Sequence, residues 1–311
     1  MNAFPFWALW AVLGHISNGA AFVIDKTLLQ KSFRQPATYA GLIGLLGILA
    51  VVLLPFGVHV PSNHGWIPIL ISGATFPLAL WFFFIALAKG EATRVVPVVG
   101  SLIPVLTLIA TSTFLGERFG SAQLGGFALL VVATILLSGA GGKAKGTLRA
   151  STVGAAVISA VVFTISFVTV KVGYDAEGFI TTFALSRFAG VIAAIAILAW
   201  DERAYMEIRN VLFPGQTPAK QLRGKRLAFL LVLFAQSLGA AGFVMVQYAI
   251  SLGSAALVNA MQAVQYAFLV FVAFLFAKKA PDLLGENLTP AVVARKLVAI
   301  CFVAAGLWLI V

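Results

Sequence analysis

Asn259, Gln262 and Tyr266 stand at i, i+3 and i+7 within the apolar stretch from Ser254 to Ala277, so a helix there carries all three on one face. Amide and phenol groups aligned in hydrocarbon suit a polar or zwitterionic solute, and they equally suit bonding between neighbouring helices. Gln236 and Gln247, eleven residues apart in the preceding stretch, lie close to three turns from each other and share a face with Phe243 between them. Arg94, Pro97, Ser101 and Pro104 form a further face, where proline breaks expose carbonyls, as a cavity wall or as a plain kink. His15 lies roughly 17 Å along its helix from Phe4, close to mid-membrane, with Asn18 on the same face. Its imidazole suits proton coupling near neutral pH, or a neutral ring bonded to a carbonyl. Asp25 is a second coupling candidate, with the alternative that it marks the membrane interface. Arg187, about two turns into its stretch, either attracts an anion or snorkels to the surface. Phe76, Trp81, Phe82, Phe83 and Phe84 cluster either toward lipid or around a pocket, and Trp81 is taken as a candidate solute contact.

The chain shows no Gly-rich phosphate loop, no HExxH or GxSxG sequence and no His/Cys/acid cluster at metal spacing. No cofactor, metal or enzymatic activity is expected. His59 and His64 are too isolated to form a metal site, and the single cysteine, Cys301, permits no intrachain disulfide and reads as a buried structural thiol.

The elements that must hold these residues follow from composition. Of 311 residues, 61% are hydrophobic and 10% charged, against about 25% charged in an average soluble chain. The chain is therefore read as an all-α, multi-pass membrane protein. Apolar stretches run from Phe4 to Leu29, Pro36 to Phe56, Trp66 to Ala88, Ala92 to Leu115, Ser121 to Gly139, Ser151 to Val172, Gly178 to Trp200, Leu227 to Ser251, Ser254 to Ala277 and Ala291 to Val311. Ten spans leave no room for a sizeable soluble domain. The first is expected to be retained, because it lacks a basic n-region and exceeds a signal peptide's apolar core. The connection from Asp201 to Arg226 reads as a surface loop with an interfacial helix at its start.

A net charge of +11 arises from basic residues between the apolar stretches, where they meet anionic lipid rather than nucleic acid. Lys89, Arg94, Lys143, Lys145, Arg149, Arg203, Arg209 and their like crowd one face, against Arg118 and Lys171 on the other. By the positive-inside rule the crowded face is cytoplasmic, and both termini lie outside a plasma or inner membrane.

Three sequence pairs recur in order: Phe22–Lys26 with Phe167–Lys171, Ala86–Ala92 with Ala249–Ala255, and Leu115-Gly116-Glu117 with Leu284-Gly285-Glu286. They argue for a duplicated five-helix unit, 1–142 and 150–311, whose odd number of spans inverts the second copy. Leu115-Gly116-Glu117-Arg118, followed by Gln123, Gly125 and Gly126 after a Pro-containing helix, resembles the end of an EamA-type repeat of the drug/metabolite transporter superfamily. Asn287 and Ala267 depart from that pattern in the second copy. The resemblance implies two inverted repeats around a central cavity, with export of a small metabolite, commonly an amino acid or derivative, by alternating access. The third, fourth, eighth and ninth spans, the first two of them carrying prolines, would supply the gate motion. A lipid or lipid-linked carrier and a non-transporting scaffold or sensor remain as alternatives. The expected partners are a small-molecule substrate and membrane lipids. Oligomeric state stays open between monomer and homodimer, since Gly41, Gly44 and Gly47 permit close helix contact.

Overall fold

Turns rather than gaps in apolar content delimit the helices. The computed structural model describes residues 5–28, 35–90, 92–138, 148–212, 222–276 and 289–311. The order is α1 (Phe6–Leu28), α2 (Pro36–Leu45) continued by a 3-10 helix (Leu46–Phe56), α3 (Asn63–Lys89), α4 (Ala92–Phe114), α5 (Ser121–Ser138), α6 (Ala150–Glu177), α7 (Phe179–Trp200), α8 (Glu202–Leu212), α9 (Leu222–Leu252), α10 (Ala255–Ala260), α11 (Gln262–Phe276) and α12 (Pro290–Ile310). No strand occurs among the described residues. The Leu-Gly-Glu turn is a helix stop: Gly116 takes φ +68°, and the Leu115 and Glu117 amides both donate to the Thr111 carbonyl. Glycine alone enters this left-handed region without steric cost, which is why the pattern needs it there. Gly178, at φ +76°, reverses the chain directly from α6 into α7. The helix α6 consequently runs to Glu177 rather than stopping at Val172, and Lys171 pairs with Asp175 at 2.8 Å on its last turns.

Among the described residues, nine helical segments are long and apolar enough to cross a membrane: α1, α2 with its extension, α3 to α7, the α10–α11 pair, and α12. The 31 residues of α9 extend about 46 Å at 1.5 Å per residue, with an apolar portion over Ser237–Leu252. The expected interfacial helix is α8, which follows Asp201, whose Oδ1 accepts from the Arg203 and Ala204 amides.

In the packed bundle α1 lies against α9, α3 against α6 and α7, α4 against α6 and α10, α2 against α7, and α5 against α12. Glycine sets the closest of these crossings. A Cβ at Gly14 would stand 2.8 Å from the Gly242 carbonyl, and one at Gly126 would stand 2.7 Å from that of Gly306. Without a water-driven hydrophobic force between helices in lipid, such backbone approach is a main source of association. Hydroxyls add bonds between helices: Ser159 and Ser166 of α6 donate to the Ala79 and Ser72 carbonyls of α3, each at 3.0 Å.

The packing locates one set of candidate residues and corrects one expectation. Gly41, Gly44 and Gly47 are occupied within the chain, where they abut Leu198, Ala194 and the Arg187 carbonyl of α7. Cys301 is exposed on the outer side of α12 rather than buried, because Ala299, Val303 and Gly306 take the inward positions. The Leu284–Asn287 turn, the Lys278–Leu283 insertion, Lys143, Lys145, Pro214 and Pro218 lie outside the described residues.

Candidate functional site

The ninth apolar stretch is a broken helix. It is interrupted at Met261, between α10 and α11, although neither proline nor glycine occurs there, and the Val264 amide turns back to the Met261 carbonyl at 2.9 Å. The break falls between Asn259 and Gln262, while Gln262 and Tyr266 stay together on α11. Asn259 is buried on α10 and its amide nitrogen reaches Thr107 Oγ1 of α4 at 3.5 Å. Gln262, half-buried at the head of α11, donates to the Tyr266 hydroxyl at 3.3 Å. That hydroxyl lies where a side chain on Gly100 of α4 would stand, 3.1 Å from an ideal Cβ, so the glycine leaves room for it. From α1, buried His15 donates from Nε2 to the Val258 carbonyl at 3.0 Å. In an uninterrupted helix that carbonyl would accept from the Gln262 amide. The imidazole thus bonds a carbonyl at the break, with the Gln265 side chain close to the same ring.

A second polar group sits between α3, α7 and α9. The Arg187 guanidinium lies over the rings of Phe76 at 4.7 Å, Phe243 at 5.0 Å and Phe183 at 5.6 Å. Eight residues separate it from the start of α7, about 12 Å of rise. Snorkelling is therefore not what holds it; the aromatic faces are. Insertion measurements put an arginine at mid-membrane at about 3 kcal/mol of cost, and desolvated cation–π contacts contribute about 1–2 kcal/mol each. Three rings are enough to offset the charge, but they leave the N–H edges unbonded, and Nε is buried without an acceptor. Beside it, the buried Tyr174 hydroxyl donates to Gln247 Oε1 at 2.9 Å.

The rings extend into a chain. Phe183 stacks on Phe179 at 5.4 Å, Phe179 meets Tyr248 at 5.1 Å, and Tyr248 meets Trp10 at 5.4 Å. Phe179 and Tyr248 also line a pocket of about 630 Å³ with Phe56, His59, Glu177 and Thr181 at the end of the bundle where α6 turns into α7. At the rim, Glu177 accepts from the Ser62 amide at 2.9 Å and the Ser62 hydroxyl at 2.5 Å, and its Oε2 is 3.1 Å from His59 Nε2. A Cβ on Gly65 would collide with this carboxylate. On the same face, Glu117 of the Leu-Gly-Glu turn accepts from Ser254, which precedes α10, at 2.7 Å.

The other candidates are scattered. Asn18 abuts Gly242 at the α1–α9 crossing. Ser101 bonds back to the Val98 carbonyl at 3.3 Å, and Arg94 is half-buried in the first turns of α4. Trp81 packs among Leu42, Leu45 and Leu198 against α2 and α7, apart from the Arg187 cluster. Asp25 lies on α1 and Gln236 on α9, with both side chains outside the described residues. Tyr174 and Gln265 escaped sequence reasoning: the first lies beyond the expected end of its span, and the second falls on α11 just off the face shared by Gln262 and Tyr266.

Together these make a bundle of membrane-length helices that surrounds an arginine and a broken helix. Residues 5–139 match the model of the EamA-like transporter family, within the drug/metabolite transporter superfamily. The Leu115–Arg118 turn lies inside the matched segment. No curated protein matches the chain significantly. Among solved structures, one described only as "Crystal structure of protein" superposes with a TM-score of 0.62 at 18% identity, covering 98% of this chain and 99% of that one. At this identity the likeness is one of fold.

Proposed function

We propose that the chain is a secondary transporter of the inner or plasma membrane that exports a small polar metabolite, such as an amino acid or a derivative, by alternating access. Two inverted five-helix repeats, 1–142 and 150–311, give ten spans, with α9 as the eighth and α10–α11 together as the ninth. The observation that carries this reading is an exchange of partners. The first helix of each half packs on the third of the other, α1 on α9 and α6 on α3, while α2 pairs with α7, α4 with α10 and α5 with α12. A pseudo-two-fold axis in the membrane plane generates pairs of this kind.

In this reading the halves rock about the broken ninth span, and the half-buried Gln262 at its break meets the solute. The pocket at the Glu177 end is the outward mouth, and the basic ends of α3 and α6, with Lys89 and Arg149, face the cytoplasm. Gate motion belongs to the Met261 break and to α3 and α4, which carry Pro68, Pro77, Pro97 and Pro104 within continuous helix. The test is proteoliposome flux across a panel of labelled amino acids, nucleosides, sugars and polyamines. Gln262→Trp is expected to insert and melt like the wild type yet lose flux by at least about tenfold; wild-type flux in that variant would remove Gln262 from the pathway.

A further inference from the structure

A guanidinium at the centre of a membrane bundle ordinarily has an acid beside it. Arg187 has three phenylalanine faces instead, and among the described residues no carboxylate pairs with it. Ring faces stabilise the charge but offer an N–H group no lone pair to accept it. The nearby Tyr174 hydroxyl already donates to Gln247, and Nε has no acceptor. The hydrogen-bonding edge of the group is therefore unmet by the chain itself. Arg187 is only half-buried, and Phe179, which lines the pocket at the Glu177 end, stacks on Phe183 of the cage. At the rim of that pocket, Glu177 is engaged by Ser62 and His59, so its charge is partly compensated.

We propose that Arg187 is the anion-binding residue of the transport site, and that it takes the carboxylate of a small organic acid whose apolar part lies among Phe76, Phe183 and Phe243. The planar fork of N–H donors matches the two oxygens of a carboxylate, and the phenylalanine walls favour a hydrocarbon or aromatic body over a sugar or polyamine. This assignment rests on the transport reading above and narrows its solute to one that carries a carboxylate.

The probe is phenylacetate, with its neutral isostere phenylacetamide and inorganic phosphate as comparisons, added to the full chain in nanodiscs of zwitterionic lipid. Phenylacetate is expected to raise the melting temperature, phenylacetamide and phosphate to leave it unchanged, and Arg187→Gln to weaken phenylacetate binding at least about tenfold, with a smaller loss in Arg187→Lys. Equal stabilisation by acid and amide, preference for phosphate, no effect of phenylacetate on the wild type, or acid binding that survives Arg187→Gln overturns the proposal. If Arg187→Gln does not fold, the acid–amide difference on the wild type and its reduction in Arg187→Lys decide the matter. Flux separates this assignment from the reading beneath it. Carboxylate-selective binding without proteoliposome uptake leaves the anion site and removes transport. Uptake of neutral solutes indifferent to Arg187→Gln leaves transport and removes the anion site.

Discussion

The His15 imidazole and the Val258 carbonyl are 243 positions apart in the chain and 3.0 Å apart in the bundle. That bond supplies a donor at a break where the backbone departs from regular helix. Replacing His15 by Phe removes the donor from a buried carbonyl, which costs about 1–3 kcal/mol; the expected result is a lower melting temperature in detergent. His15→Gln keeps an N–H in reach and is expected to recover most of the loss while leaving the pH profile of flux unchanged. A profile that shifts in the Gln variant would make His15 a proton carrier. Residue type and depth were legible in the sequence, since a polar group amid apolar ones stands out. Partners were not. Nothing in the order of residues pairs His15 with Val258, or shows that Phe76 and Phe243, from α3 and α9, close on Arg187. Arg187 read equally well as a snorkelling side chain, because depth alone does not tell which faces meet it.

At the scale of elements, long apolar runs bounded by charge and glycine gave nearly every helix, and Gly116 marked its stop. Breaks were harder to see. The ninth apolar stretch parts at Met261 with neither proline nor glycine as a signal, whereas Pro68, Pro77, Pro97 and Pro104 sit inside helices that stay continuous. Backbone groups freed by a proline can be re-satisfied by neighbours, and a break without one is set by tertiary contacts from other helices. The α5–α12 contact offers a clean test of how these elements hold together. A Cβ at Gly126 would press on the Gly306 carbonyl, while one at the adjacent Gly125 would meet only Leu309 at 3.8 Å. Gly126→Ala is expected to destabilise by about 1–3 kcal/mol, read as a fall in melting temperature, and Gly125→Ala to stay near the wild type. Equal effects would mean that the two helices do not cross at Gly126.

For the whole molecule, the order of residues does not show how distant helices interlock, with α1 packed on α9 and α6 on α3. Orientation is the property of the assembled chain that basic residues foretell, and it can be checked directly. In a Cys301→Ser background, Val60→Cys, on the exposed loop before α3, is expected to react with a membrane-impermeant maleimide on intact cells. Ser151→Cys, exposed at the start of α6, is expected to react only after permeabilisation. The reverse pattern would place both termini inside.

The interlocking has a consequence in time. Ribosomes add roughly 5–20 residues per second, so the 243 positions between His15 and Val258 correspond to roughly 12–50 s of synthesis. Through that interval α1 waits in the bilayer with a glycine seam and an imidazole made for helices that do not yet exist. The first half of the chain is thus a guest of whatever inserts it until the second half arrives, and the duration of that stay is written into the distance between one histidine and one carbonyl.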